Sequence, residues 1–67
     1  MATEIGRSGL VKAGPVAEYL ETTVSNLARL RFEGRGPAYV RLGRSIRYRW
    51  EDVERWVEES VVGGGVK

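Results

Sequence analysis

The 67-residue chain contains no cysteine and no histidine. Without cysteine, no disulfide braces the fold and no thiolate holds a metal. Without histidine, the commonest general base and the commonest metal ligand are both missing. No enzyme, metal centre or cofactor is therefore expected. No apolar run approaches the ~20 residues that span a bilayer, and the N-terminus lacks the apolar core of a secretory signal. These absences imply a soluble, cytoplasmic protein with no membrane partner and no small-molecule substrate. Lysine is scarce: of the eleven cations, nine are arginine. Acid is scarce in the middle of the chain. Seven arginines lie between Arg29 and Arg49 against a single Glu33, and five acids follow between Glu51 and Glu59 against Arg55. A chain this short makes one domain at most and buries a small core. A surface needing only solubility would mix its signs. The segregation, and the preference for the guanidinium fork that fits phosphates and guanine edges, point to an anionic partner.

Residues 1–10 show glycines without periodicity and are expected to be flexible, as is the Gly-rich tail over 61–67. That leaves 11–60 as the folded domain. "AGPVAEYLE" reads as a short helix, with Gly14 as cap and Pro15 at the first helical position, where its missing N–H costs nothing. Val16, Ala17 and Leu20 share its apolar face. "TVSNLARLRFEG" reads as a second helix, capped by Thr23 and closed at Gly34 by a left-handed residue. Val24, Leu27, Ala28 and Leu30 fall on one arc, with Ser25, Asn26, Arg29 and Glu33 on the other. Two helices separated by two or three residues form a helix-turn-helix.

"AYVRLGRSIRYR" alternates as a β-hairpin does. A two-residue turn at Gly43-Arg44 pairs Arg41 with Ile46 and mixes the faces. A three-residue loop, Gly43-Arg44-Ser45, pairs Leu42 with Ile46, Val40 with Tyr48 and Arg41 with Arg47. The three-residue loop is expected, since it leaves one face apolar and sets two arginines side by side on the other. Tyr39 then falls on the arginine face. Like charges directly opposed destabilise a hairpin, a strain that an anionic partner relieves. "RWEDVERWVEES" reads as a third helix with Trp50, Val53, Trp56 and Val57 as its apolar stripe. Trp56 is expected to be buried against the first two helices. Glu51 and Asp52 lie in the first turn, where the helix dipole favours anions. With Glu54, Glu58 and Glu59 they read as a solvated acidic face.

Helix, turn, helix, basic hairpin and acidic helix, in that order, make a mostly α winged helix-turn-helix with a small β-hairpin. That fold sets its second helix in the major groove of double-stranded DNA. Thr23, as its cap, and Ser25, Asn26 and Arg29 are the candidate contacts there. Arg29 suits a guanine edge and Asn26 an adenine; the alternative is an ordinary solvated helix face. Arg31, nearer the apolar arc, is a further candidate or a side chain that snorkels over the core. On the wing, Arg41, Arg44, Ser45 and Arg47 suit phosphates or a narrow minor groove. Arg49 suits a phosphate or the acids that follow it.

"VAEYL", "TTVSNLARLRFEGRGP" and "VRLGRSIRYRWEDVERWVEE" together resemble the small excisionase family. These are recombination directionality factors of phages and integrated elements, distantly related to MerR-type DNA-binding domains. The resemblance spans about Val11 to Glu59. It implies a DNA-bending protein that binds beside an attachment site, with further copies of itself, and promotes excision by a tyrosine or serine integrase in a bacterial cell, close to the nucleoid. It places Thr23 at the cap of the recognition helix, Ser25 and Arg29 at its DNA-facing positions, and Gly43-Arg44-Ser45 at the wing tip. The chain departs from the family pattern at Lys12, where Thr or Ser usually opens the first helix. It departs again at Glu21 and Thr22, often glycine and valine, and at Ala28, commonly a bulky aromatic. A small helix-turn-helix transcriptional regulator uses the same domain, although the short chain leaves no room for an effector domain. A protein-interaction or RNA-binding module is the alternative from another class.

Overall fold

The computed structural model describes residues 9–63. Most of the segment expected to be flexible at the N-terminus, and the last four residues of the tail, lie outside them. Six elements follow in order: β1 (Leu10–Val11), α1 (Ala13–Tyr19), α2 (Val24–Glu33), β2 (Val40–Leu42), β3 (Ser45–Arg49) and α3 (Trp50–Glu59). This is a winged helix-turn-helix, with one strand more than the hairpin expected. β1 pairs with β3 through Leu10↔Arg49 and Val11↔Tyr48, giving an antiparallel sheet in the order β1-β3-β2.

α1 begins two residues earlier than its proline suggests. Lys12 is the N-cap, in extended conformation and without a side-chain capping bond. Gly14 is inside the helix, and Pro15 takes the third helical position. The first-turn N–H groups have no intrahelical acceptor, so a proline is still tolerated there. α1 closes with the Thr22 N–H donating to the Ala17 carbonyl (2.8 Å) and the Glu21 N–H to that of Glu18 (3.1 Å). This is a Schellman motif, and its left-handed position is held by Glu21 at φ 55°. The four residues 20–23 thus join the helices. A side chain in that conformation costs roughly 1–2 kcal/mol, partly offset by the greater unfolded-state freedom of a glycine. Glu21→Gly is expected to raise stability by about 0.5–1 kcal/mol, read as a higher denaturation midpoint at unchanged slope. A lower midpoint would mean that the Glu21 side chain makes good the strain.

α2 has the caps its sequence announces. Thr23 Oγ1 accepts from the Asn26 N–H at 3.0 Å. Gly34, at φ 70°, closes the helix, its N–H bonding the Arg31 carbonyl (3.0 Å) while the Arg35 N–H bonds that of Leu30 (2.9 Å). The loop then folds back so closely that a Cβ on Gly36 would stand 2.9 Å from the Leu30 Cβ. Only glycine permits that approach.

The wing register differs from expectation. β2 and β3 pair as Val40↔Arg47, Arg41↔Ile46 and Leu42↔Ser45, so the turn is the two-residue Gly43-Arg44. Gly43 has φ 61° and Arg44 does not share that sign. Glycine at the first central position is the type II′ pattern, whose twist matches that of the flanking strands. Arg41 and Arg47 therefore lie on opposite faces and do not oppose each other. Tyr39, Arg41, Ile46 and Tyr48 share the face turned to the helices. Val40, Leu42, Ser45, Arg47 and Arg49 share the other, where Leu42 is half exposed.

The core is Val16 and Ala17 of α1, Leu27 of α2, Tyr48 of β3 and Val53 of α3, with Val11, Ala13, Leu20, Leu30, Ile46 and Trp50 packed around it. Trp50 meets Tyr19 edge to face, with ring centroids 5.3 Å apart. Trp56 is not buried against α1 and α2 as expected. It is half-buried, and its Nε1 donates to the Arg35 carbonyl at 2.9 Å, tying α3 to the loop after α2. The helical stripe runs one turn beyond what the small core can cover.

Candidate nucleic-acid interface

α2 buries Leu27 and turns Ser25, Arg29 and Phe32 outward. Arg29 is held on this face by two neighbours. Its Nη2 donates to Asn26 Oδ1, and its Nη1 approaches Glu33 Oε2 at 3.4 Å. An exposed pair of that length is worth little, so a guanine edge or phosphate can displace Glu33. Asn26 is half-buried, and its Nδ2 donates to Thr22 Oγ1 at 2.9 Å. Both ends of its amide are thus engaged within the protein, bracing the turn on one side and Arg29 on the other. Thr23 Oγ1 is occupied as the cap of α2.

Glu33 also accepts from Arg35 at 2.7 Å. The hydrogen bond from Arg35, together with the charges of Arg35 and Arg29, holds its carboxyl below the usual range against a smaller opposing effect of burial. Glu33 is therefore ionised at neutral pH and offsets part of the positive charge at the end of α2.

On the wing, Arg41, Arg44 and Ser45 are exposed, with Arg44 in the turn and Ser45 opening β3. Arg41 stands beside α2: with Ala28, Arg31, Phe32 and Tyr39 it lines an open groove of about 210 Å³ between helix and wing. Arg47, on the opposite face, is half-buried and donates to the Ile46 carbonyl at 2.9 Å. The cations thus form two sets, one around the α2–wing groove and one behind the sheet.

Three arginines bond buried polar side chains. Arg31 Nη1 donates to the Tyr48 hydroxyl at 2.7 Å, and its guanidinium lies 5.7 Å from the centre of the Tyr39 ring. It satisfies the polar end of a tyrosine whose side chain is wholly buried. Arg49 Nε donates to Asp52 Oδ2 at 2.7 Å, and Arg55 Nη1 to Oδ1 at 3.2 Å. Asp52 is only 5% exposed, so it departs from the solvated face expected of the acids around it. Its hydrogen bond and charge raise the Arg49 pKa above the usual value. The Arg49-x-x-Asp52-x-x-Arg55 spacing could have revealed this clamp in the sequence, because residues three apart meet on a helix. Phe32 is 92% exposed on the outer face of α2, and its place on the helical wheel, far from the Leu27 direction, is the sequence signal for that exposure.

Among the described residues, no group of three or more His, Cys, Asp or Glu side chains gathers as a metal cage would require. Likewise, no helix there is long and apolar enough to cross a membrane. The surface instead carries exposed arginines on a helix and on the wing beside it, which suits it to an extended anion bearing hydrogen-bonding edges. No curated protein matches the chain significantly. The helix-turn-helix domain family, however, matches residues 12–61, which take in both helices, the wing and α3; the chain belongs to that family of DNA-binding domains.

Proposed function

We propose that the protein is an excisionase: a double-stranded DNA-binding and DNA-bending accessory factor that directs an integrase toward excision. The observation that carries the reading is the pairing of two presenting elements on one small body. Arg29 stands on the outer face of α2, and Arg41 and Arg44 stand on a wing beside it. A helix in the major groove and a wing in the neighbouring minor groove draw the duplex around the domain, and a narrowed minor groove attracts the arginine. The resemblance over "VRLGRSIRYRWEDVERWVEE" favours the recombination role. A transcriptional regulator built on the same domain binds DNA equally well. Mobility of circularly permuted fragments of a bound duplex, combined with an excision assay with a partner integrase, separates the two. A bend together with protein-dependent excision supports the proposal. Binding at a promoter with no effect on recombination supports the regulator.

One such module buries less surface than specific DNA affinity usually needs. Several copies on tandem sites supply the difference. The basic wing and the exposed Glu58 and Glu59 of α3 offer a head-to-tail contact between neighbours, of the kind that builds open filaments. Glu58→Lys is expected to weaken cooperativity on a multi-site fragment while single-site affinity holds or rises. Equal tightening on both fragments would make the acidic helix an electrostatic brake and place the contact elsewhere.

A further inference from the structure

A single exposed phenyl ring is ordinary on a protein surface; the position of Phe32 is what sets it apart. It is 92% exposed. Seven residues after Ser25, it falls within about 20° of that residue on the helix. Ala28 and Arg29, one turn back, lie on either side of the line between them. The outer face of α2 therefore reads hydroxyl, methyl and guanidinium, then phenyl. Arg41 and Tyr39 of the wing line the same groove as Ala28 and Phe32. The face meant for DNA thus ends in an apolar patch flanked by cations.

In the major groove, the bases present donors and acceptors, plus one apolar feature, the C5-methyl group of thymine. A phenyl ring cannot replace the hydrogen bonds that water makes to the polar edges, so against those it only desolvates. Against a methyl it removes apolar surface from water on both sides. The neighbouring charges make a protein partner a poor occupant of this patch, since docking an apolar surface there would strip water from Arg29 and Arg41 without supplying anions. A duplex supplies them: the strand running between helix and wing brings a phosphate to Arg41, while the base edges face α2.

We propose that Phe32, with Ala28, reads the C5-methyl group of a thymine in the major groove, next to the base contacted by Arg29. The inference rests on the DNA-binding reading and specifies one of its contacts. The probe is a duplex selected by the wild-type protein from a randomised pool, with each thymine replaced in turn by deoxyuridine, which lacks only that methyl. At one position, or two adjacent ones, the replacement should weaken wild-type binding about fourfold, the effect of withdrawing one buried methyl-sized group. Phe32→Ala should bind the parent duplex more weakly by at least that factor and should no longer respond to deoxyuridine there, while Phe32→Leu keeps part of the response. Both variants should melt with the wild type, because the ring is not part of the core, and should bind random duplex as the wild type does. An unchanged deoxyuridine penalty in Phe32→Ala, or no thymine whose methyl matters, overturns the methyl contact. Failure to enrich any duplex at all would instead sink the sequence-specific DNA-binding reading beneath it.

Discussion

Tyr48→Ala is expected to leave the domain largely unfolded at room temperature. Tyr48 is the largest wholly buried side chain in the core. It sits on the central strand, where it meets Val11 of β1, packs its ring 6.4 Å from that of Tyr39, and accepts a hydrogen bond from Arg31 through its hydroxyl. Truncating a buried ring of this size costs about 3–5 kcal/mol. That approaches the whole stability of a domain built on so few core residues. Tyr48→Phe keeps the ring and removes only the acceptor, so it should cost about 1 kcal/mol. Thermal melts followed by far-UV circular dichroism give both numbers. Trp56→Ala, by contrast, should lose less than Tyr48→Ala, because that indole is only half covered. A Tyr48→Ala protein melting within a few degrees of the wild type would show that the sheet is not anchored through this residue.

The second large effect is a division of labour among the arginines. Arg29→Ala is expected to weaken binding to a selected duplex by about 1–3 kcal/mol and to change affinity for random duplex little, since a base contact discriminates and a phosphate contact does not. Arg41→Ala and Arg47→Ala should each weaken both duplexes together and lower the slope of log affinity against log salt by about one. Arg31→Ala should behave differently again: it strands the buried Tyr48 hydroxyl, so its signature is a lower melting temperature. Isotherms at four or five salt concentrations on the two duplexes separate these outcomes. Equal weakening of selected and random DNA by Arg29→Ala would remove its base-reading role. A salt slope unchanged in Arg47→Ala would place that residue, on the far face of the sheet, outside the contact.

The local elements were legible in the sequence. Thr23 and Gly34 bound α2 because a cap and a left-handed stop are settled by hydrogen bonds within a few residues, so the residues that make them announce them. The apolar face Val16–Ala17–Leu20, the Val53 stripe and the existence of a basic wing follow from periodicity in the same way. The register of the wing was not legible. Val40 and Leu42 offer one apolar parity and Tyr39 the other, and alternation cannot say which faces the helices. Packing of Tyr39 on Tyr48 and the positive φ of Gly43 decide it, and with it which arginines stand together. Asp52 and Trp56 make the same point in opposite directions. Spacing on α3 offered the indole to the core and the carboxylate to water, whereas the docked helix buries Asp52 between two arginines and leaves Trp56 at the rim. The helices, the two caps of α2 and the basic wing follow from neighbours along the chain, so the residues themselves announce them. Which side chains are covered, and which cations share a face, depends instead on which element lies over which.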